Sequence, residues 1–181
     1  YNNIHIPFAP SDAGSAIGAC LNSYRGPIKD NVSPYLGNSY TKEEYLDQIL
    51  ANSDKVDFIE FTEEKLMNRV AKLLYSDKIV AWFQDRMEFG ARALCNRSII
   101  YHSNDITIND RLNKRLKRYE FMPFAPVTAI ELAKKCYKGW QKSHLLSEFM
   151  TITYKCTNLM KKNSPAIIHV DNTARPQILK K

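Results

Sequence analysis

Residues 62–83, "TEEKLMNRVAKLLYSDKIVAWF", constrain the fold more than any other stretch of the chain. Thr62 stands as an N-cap with two glutamates behind it. Leu66, Val70, Leu73 and Leu74 recur at helical spacing, so the segment predicts an amphipathic helix. The apolar run 79–83 follows at once and predicts a buried strand. "KVDFIEF" (55–61) comes before it and predicts another strand. Strand, helix and strand at this spacing imply helices layered on a sheet, an α/β (α+β) chain.

The flanking segments extend the pattern. "IHIPFAP" reads as a strand ending near Pro7–Pro10, then a helix capped by Ser11 or Asp12. Residues 26–40 hold two prolines and two glycines without periodicity, a loop and a candidate domain boundary. "TKEEYLDQILAN" opens on a capping box, T-x-x-E. Residues 105–117 read as helical, 123–132 as strand-like and 131–150 as irregular with helical pieces. "FMTITYK" and "PAIIHV" read as strands, the second buried, with "DNTARPQ" the turn after it. A chain of 181 residues can bury one core without staples. Cys20, Cys95, Cys136 and Cys156 form no C-x-x-C, so they read as free thiols of a cytoplasmic protein. No apolar run reaches the length of a membrane span, and residues 1–14 carry no secretory signature. The chain lacks an initiator Met and reads as a piece of a longer protein.

The net charge of +7 suggests an anionic partner. Its sharpest expression is "RMEFGARALCNRSI" (86–99), which sets Arg86, Arg92 and Arg97 beside apolar runs. On a helix Arg86 and Arg97 would share a side. On a strand Arg86 and Arg92 would share a face. A loop folded around Gly90 could gather all three, because glycine adopts backbone conformations closed to other residues. Guanidiniums bind phosphate or carboxylate oxygens two at a time. Glu88 could orient an arginine or hold a metal, and Asn96 and Ser98 add neutral hydrogen bonds. The plainer reading is a surface loop with structural ion pairs. A second basic run, 111–118, includes Lys117 and Arg118 and reads as a solvated helix face or an RNA-binding stripe. The third segment, "HVDNTARPQ", carries His169, Thr173 and Arg175 at the end of an apolar run, where α/β proteins place ligand sites. No Walker A, G-x-G-x-x-G, G-x-S-x-G or H-E-x-x-H motif occurs.

Together, "FQDRMEFGARALCNRSI", "LNKRLKRYEFMPFAP", "EFM" and "HVDNTARPQ" resemble, in order and spacing, the NodU-type O-carbamoyltransferases. The resemblance covers nearly the whole chain. It implies that residues 1–30 are the tail of an actin-like metal-binding domain. Residues 31–181 would be a C-terminally incomplete YrdC-like domain, a twisted mixed sheet flanked by helices. "SDAGSAIGAC" matches the motif that closes the actin-like domain, so Asp12 inherits the role of a ligand to Fe or Mn. The implied reaction joins ATP, with Mg²⁺, and carbamoyl phosphate into carbamoyl-adenylate. The actin-like domain of the same chain then passes the carbamoyl group to a hydroxyl of a small molecule. By position, Arg86, Arg92, Asn96, Arg97 and Ser98 belong to the phosphate-binding loop. Lys117 and Arg118 match a catalytic lysine and arginine, with Arg86 the third catalytic residue. His169, Thr173 and Arg175 would line the same pocket. Three departures stand out: Asp85, Ala91 and Cys95 replace Gly, Pro and Gly. Cys95 would be strained if its backbone needs a positive φ. The alternatives are a basic RNA-binding module, disfavoured by the compact Gly-bearing loop, and a piece inactive in isolation.

Overall fold

The computed structural model describes residues 6–27, 33–118, 124–142 and 145–180. These fall into two compact units. One gathers residues 6–27, 90–92, 102–118, 124–142 and 145–180; the other holds residues 33–89 and 93–101. The order of elements is α1 (Asp12–Ser23), α2 (Lys42–Ala51), α3 (Glu63–Tyr75), β1 (Val80–Phe83), β2 (Arg97–Ile100), α4 (Ile108–Leu116), β3 (Val127–Ala129), α5 (Ile130–Cys136), β4 (Tyr154–Lys155), α6 (Asn158–Asn163), β5 (Thr173–Ala174) and β6 (Gln177–Leu179). Two 3-10 turns, Leu145–Phe149 and Pro165–Ile167, complete it. The α+β class stands. Among the described residues the strands lie in three two-stranded sheets: β1–β2 and β4–β5 antiparallel, β3–β6 parallel. No described helix is long and apolar enough to cross a membrane. All four cysteines are free thiols.

In the first unit the core is apolar and closed. Ala133, Tyr137, Trp140, Tyr154, Cys156, Met160, Ile167, Ala174 and Ile178 form one buried cluster. Its polar atoms are paired, as buried groups must be. The Tyr137 hydroxyl lies 2.7 Å from the Thr128 hydroxyl, and Trp140 Nε1 donates to Ser147 Oγ at 3.1 Å. Pairing of Thr128 with Ile178 lays β6 beside β3, and pairing of Tyr154 with Ala174 lays β5 beside β4. Residue 175 therefore sits between two short strands, flanked by buried Ala174 and Pro176. That alternation turns Arg175 outward.

In the second unit, α2 carries the full capping box: Thr41 Oγ1 accepts from the Glu44 amide and Glu44 Oε2 from the Thr41 amide. Neither α2 nor α3 contains a buried residue. Val70, Leu73 and Leu74 of α3 are half-buried and Leu66 is exposed. β1 and β2 form a hairpin in the register Val80–Ile100 to Phe83–Arg97. Residues 84–96, the arginine-rich segment, connect its strands.

Several predicted elements differ. Residues 55–61 form no strand. Their alternation finds no partner ladder among the described residues, and a strand without one leaves its amides unpaired. Instead Glu60 reaches Lys42 at 2.5 Å. Within residues 79–83, Val80–Phe83 form a strand, but alternately half-buried and exposed rather than buried. "PAIIHV" is a 3-10 turn followed by irregular chain. Pro165 has its φ pre-set for a helical turn and no N–H to give a ladder. "FMTITYK" pairs only at Tyr154–Lys155, because Thr151 is tied back to the Leu146 carbonyl by its hydroxyl at 2.7 Å. The N-terminal strand falls partly on residues 1–5, outside the described residues; residues 6–10 are irregular. Ser11 stands at the N-cap of α1, but its side chain makes no cap bond, and neither does that of Thr62 at α3.

Candidate functional site: the arginine loop and the 169–175 turn

In the second unit, residues 84–89 and 93–96 of the loop are held by their own polar side chains. Glu88 is 8% exposed. Its Oε1 accepts from the amides of Leu94 at 2.6 Å, Asn96 at 2.7 Å and Arg97 at 3.1 Å. Burial alone would raise the Glu88 carboxyl, but the amide donors of Arg97, Asn96 and Leu94 outweigh it and hold it below the usual range. Asn96 Nδ2 donates to the Arg86 carbonyl at 2.7 Å and its Oδ1 accepts from Gln84 at 3.0 Å. Ser98 Oγ accepts from the Cys95 amide at 3.0 Å. The Arg97 guanidinium donates to the carbonyls of Gln84, Asn96 (3.0 Å) and Asp85 (2.9 Å), and stacks 3.5 Å over the Phe83 ring. Asn96, Arg97 and Ser98, expected to touch substrate, thus direct most of their polar atoms into the loop itself.

Arg86 differs. It is exposed, and Nε donates to the Gly37 carbonyl at 3.0 Å. Gly37 is a close approach: a Cβ there would lie 2.7 Å from that of Met87. The Nη groups of Arg86 have no partner among the described residues.

In the first unit, Gly90 takes φ 105° and lies so close to Ala9 that a Cβ would come within 3.1 Å. Gly90 thus takes a backbone conformation that favours glycine. Arg92 follows it, half-buried. Burial and the nearby Arg175 charge both push the Arg92 guanidinium below its usual range. Two guanidiniums more than 80 positions apart in sequence are thus close enough to repel each other, and among the described residues neither has an acidic partner. The turn that leads to Arg175 is tied by Asp171, whose Oδ1 accepts from the Thr173 hydroxyl at 2.7 Å and the Thr173 amide at 2.9 Å. His169 Nδ1 lies 3.2 Å from the same oxygen. The Thr173 hydroxyl, then its amide and His169, hold Asp171 below the usual carboxylate range. His169 and Thr173 therefore shape the turn, and Arg175 is the side chain it presents. Lys117 caps α4 in the left-handed conformation (φ 54°), exposed. Arg118 lies 4.6 Å over the Phe124 ring.

Sequence reasoning missed the Glu88 cradle. A carboxylate bonded to backbone amides leaves no periodicity or motif; the one available signal was an acidic residue between Met87 and Phe89 in a basic segment.

Residues 71–181 match the family described as Carbamoyltransferase C-terminus. The chain belongs to that family. It is 27% identical, over 99% of its length, to the 3'-hydroxymethylcephem-O-carbamoyltransferase of Amycolatopsis lactamdurans, covering 32% of that protein. It is 29% identical, over 98% of its length, to nodulation protein NolNO of Sinorhizobium fredii, covering 27% of it. An uncharacterised protein of Synechocystis is 30% identical over 98% of this chain, which covers 33% of it. The chain thus spans about a third of the length of these relatives.

Two of the three departures that the resemblance implies have a physical reading. Asp85 takes φ 44° and Cys95 φ 74°, so both stand in the left-handed region that glycine occupies without strain. Burial, then the Glu88 charge, pushes the Cys95 thiol up to about 11. Asp12 lies exposed in the first turn of α1. Among the described residues no group of three metal-ligating side chains exists. A single carboxylate could supply only one ligand to Fe or Mn.

Proposed function

We propose that this chain is the C-terminal part of an ATP-dependent O-carbamoyltransferase. In this reading residues 1–30 close an actin-like domain, and residues 31–181 belong to a YrdC-like domain. That domain forms carbamoyl-adenylate from ATP and carbamoyl phosphate, releasing pyrophosphate. The N-terminal part of the longer protein then transfers the carbamoyl group to a hydroxyl of a small molecule. The relatives named O-carbamoyltransferase support the reaction class.

The observation that carries the reading is the Arg92–Arg175 pair. Two like charges held near each other, one of them partly desolvated, cost free energy in the protein alone. A polyanion offsets that cost, and a triphosphate or an acyl phosphate does so with paired oxygens. Phosphate chemistry of this kind needs positioning and charge neutralisation more than a protein nucleophile. In the other unit, Arg86 has Nη groups that are unpaired among the described residues, and the resemblance gives it a catalytic role. Lys117 and Arg118 extend the proposed catalytic set, and Mg²⁺ would accompany the ATP phosphates.

The test is pyrophosphate release by the longer protein that this reading implies. Release from ATP should require carbamoyl phosphate, and Arg86→Ala should abolish it with the circular-dichroism spectrum unchanged. Release independent of carbamoyl phosphate would overturn the reaction. Full activity in Arg86→Ala would overturn the site.

A further inference from the structure

We propose that Glu88 is a positioning residue that fixes Arg86 for its anionic substrate; the inference rests on the function proposed above. The geometry has three links, all within one unit. First, one oxygen of a nearly buried carboxylate gathers the amides of Leu94, Asn96 and Arg97 at 2.6, 2.7 and 3.1 Å. Converging backbone amides of this kind make an anion-binding concavity. Here the protein's own side chain occupies it. Those three amides are therefore closed to a substrate phosphate, and the loop must meet its anion with guanidiniums.

Second, the cradle fixes the backbone of Asn96, and the Asn96 side chain holds the Arg86 carbonyl at 2.7 Å. Third, the Arg86 Nε is held by the Gly37 carbonyl at 3.0 Å, so backbone and side chain of Arg86 are each restrained at one point. Glu88 fixes the first of these through Asn96. A carboxylate suits the role better than an amide, because hydrogen bonds to a charged acceptor are roughly twice as strong as neutral ones. A glutamine would also turn a donor group into the same buried space.

The experiment has two parts, both on this chain. In an NMR pH titration, the amides of Leu94, Asn96 and Arg97 should shift together with one midpoint below the ordinary glutamate range. In Glu88→Gln that transition should vanish. Independent behaviour of the three amides in the unsubstituted chain would overturn the cradle. In calorimetric titration with ATP, Glu88→Gln should weaken binding about tenfold, the size of one charge-assisted hydrogen bond. A double-mutant cycle then separates positioning from general stability. If Glu88 acts through Arg86, adding Glu88→Gln to Arg86→Ala should cost nothing further. Two losses that simply add would overturn the inference while leaving the proposed function intact. The longer protein binding no ATP would instead overturn the proposed function, and this inference with it.

Discussion

The two units hold themselves together by different means. In one, Ala133, Tyr137, Cys156 and Ile178 are each at most 2% exposed and pack into a single apolar cluster. In the other, α2 and α3 bury no residue at all. Its most buried positions include Leu94 and the polar side chains Glu88 and Asn96, and the last two are held by hydrogen bonds. Apolar packing is non-directional and tolerates repacking. A hydrogen-bonded loop holds one geometry and loses it when one partner is removed. The first kind of order serves a scaffold. The second serves a loop that must present Arg86 in one position.

The comparison breaks most visibly in the apolar cluster. Tyr137→Ala removes a ring from a filled core and strands the Thr128 hydroxyl. It should lower stability by about 3–5 kcal/mol in urea unfolding. A loss under 1 kcal/mol would show that the cluster does not carry this unit. Glu88→Ala comes next. It leaves three amides without their acceptor and should cost about 2 kcal/mol. Faster amide exchange should be confined to residues 84–98. Exchange that spreads evenly over the chain would contradict a loop held locally. The same carboxylate has a pH signature. Its folded pKa is depressed, so its contribution is fully present above the unfolded value of roughly 4.3 and is lost as pH falls through the folded one. Glu88→Gln should flatten that acid limb and leave the neutral limb unchanged in shape.

The smallest expected effect is a gain. Cys95→Gly relieves a left-handed backbone at φ 74°. The relief exceeds the extra entropy glycine loses on folding, so stability should rise by roughly 0.5–1 kcal/mol. A decrease would mean that the half-buried thiol packs more usefully than its backbone conformation suggests.

Helix α3 was legible from Leu66, Val70, Leu73 and Leu74, and α2 from its capping box, because both signals are local. The strand expected at 55–61 was not, since a short alternating run becomes a strand only where a partner lies beside it. "PAIIHV" misled for a related reason: its apolar content marked burial correctly at Ala166 and Ile167, while Pro165 decided the conformation. At the site, the motifs pointed to Arg92 and Arg175, which the fold brings into mutual influence across the sequence. They did not separate Arg86, whose Nη groups are unpaired among the described residues, from Arg97, whose guanidinium serves carbonyls of its own loop. That distinction depends on where backbone oxygens point, which side-chain identity does not encode.

Arg92 and Arg175 are proposed to form one anion-binding pair. Titration calorimetry with ATP tests it most directly. The unsubstituted chain should bind saturably. Arg92→Ala and Arg175→Ala should each weaken binding about tenfold or more, as expected for loss of a charge-assisted contact to phosphate. The affinity should also fall as salt screens the charges. Equal affinity in the unsubstituted chain and both variants would contradict the account.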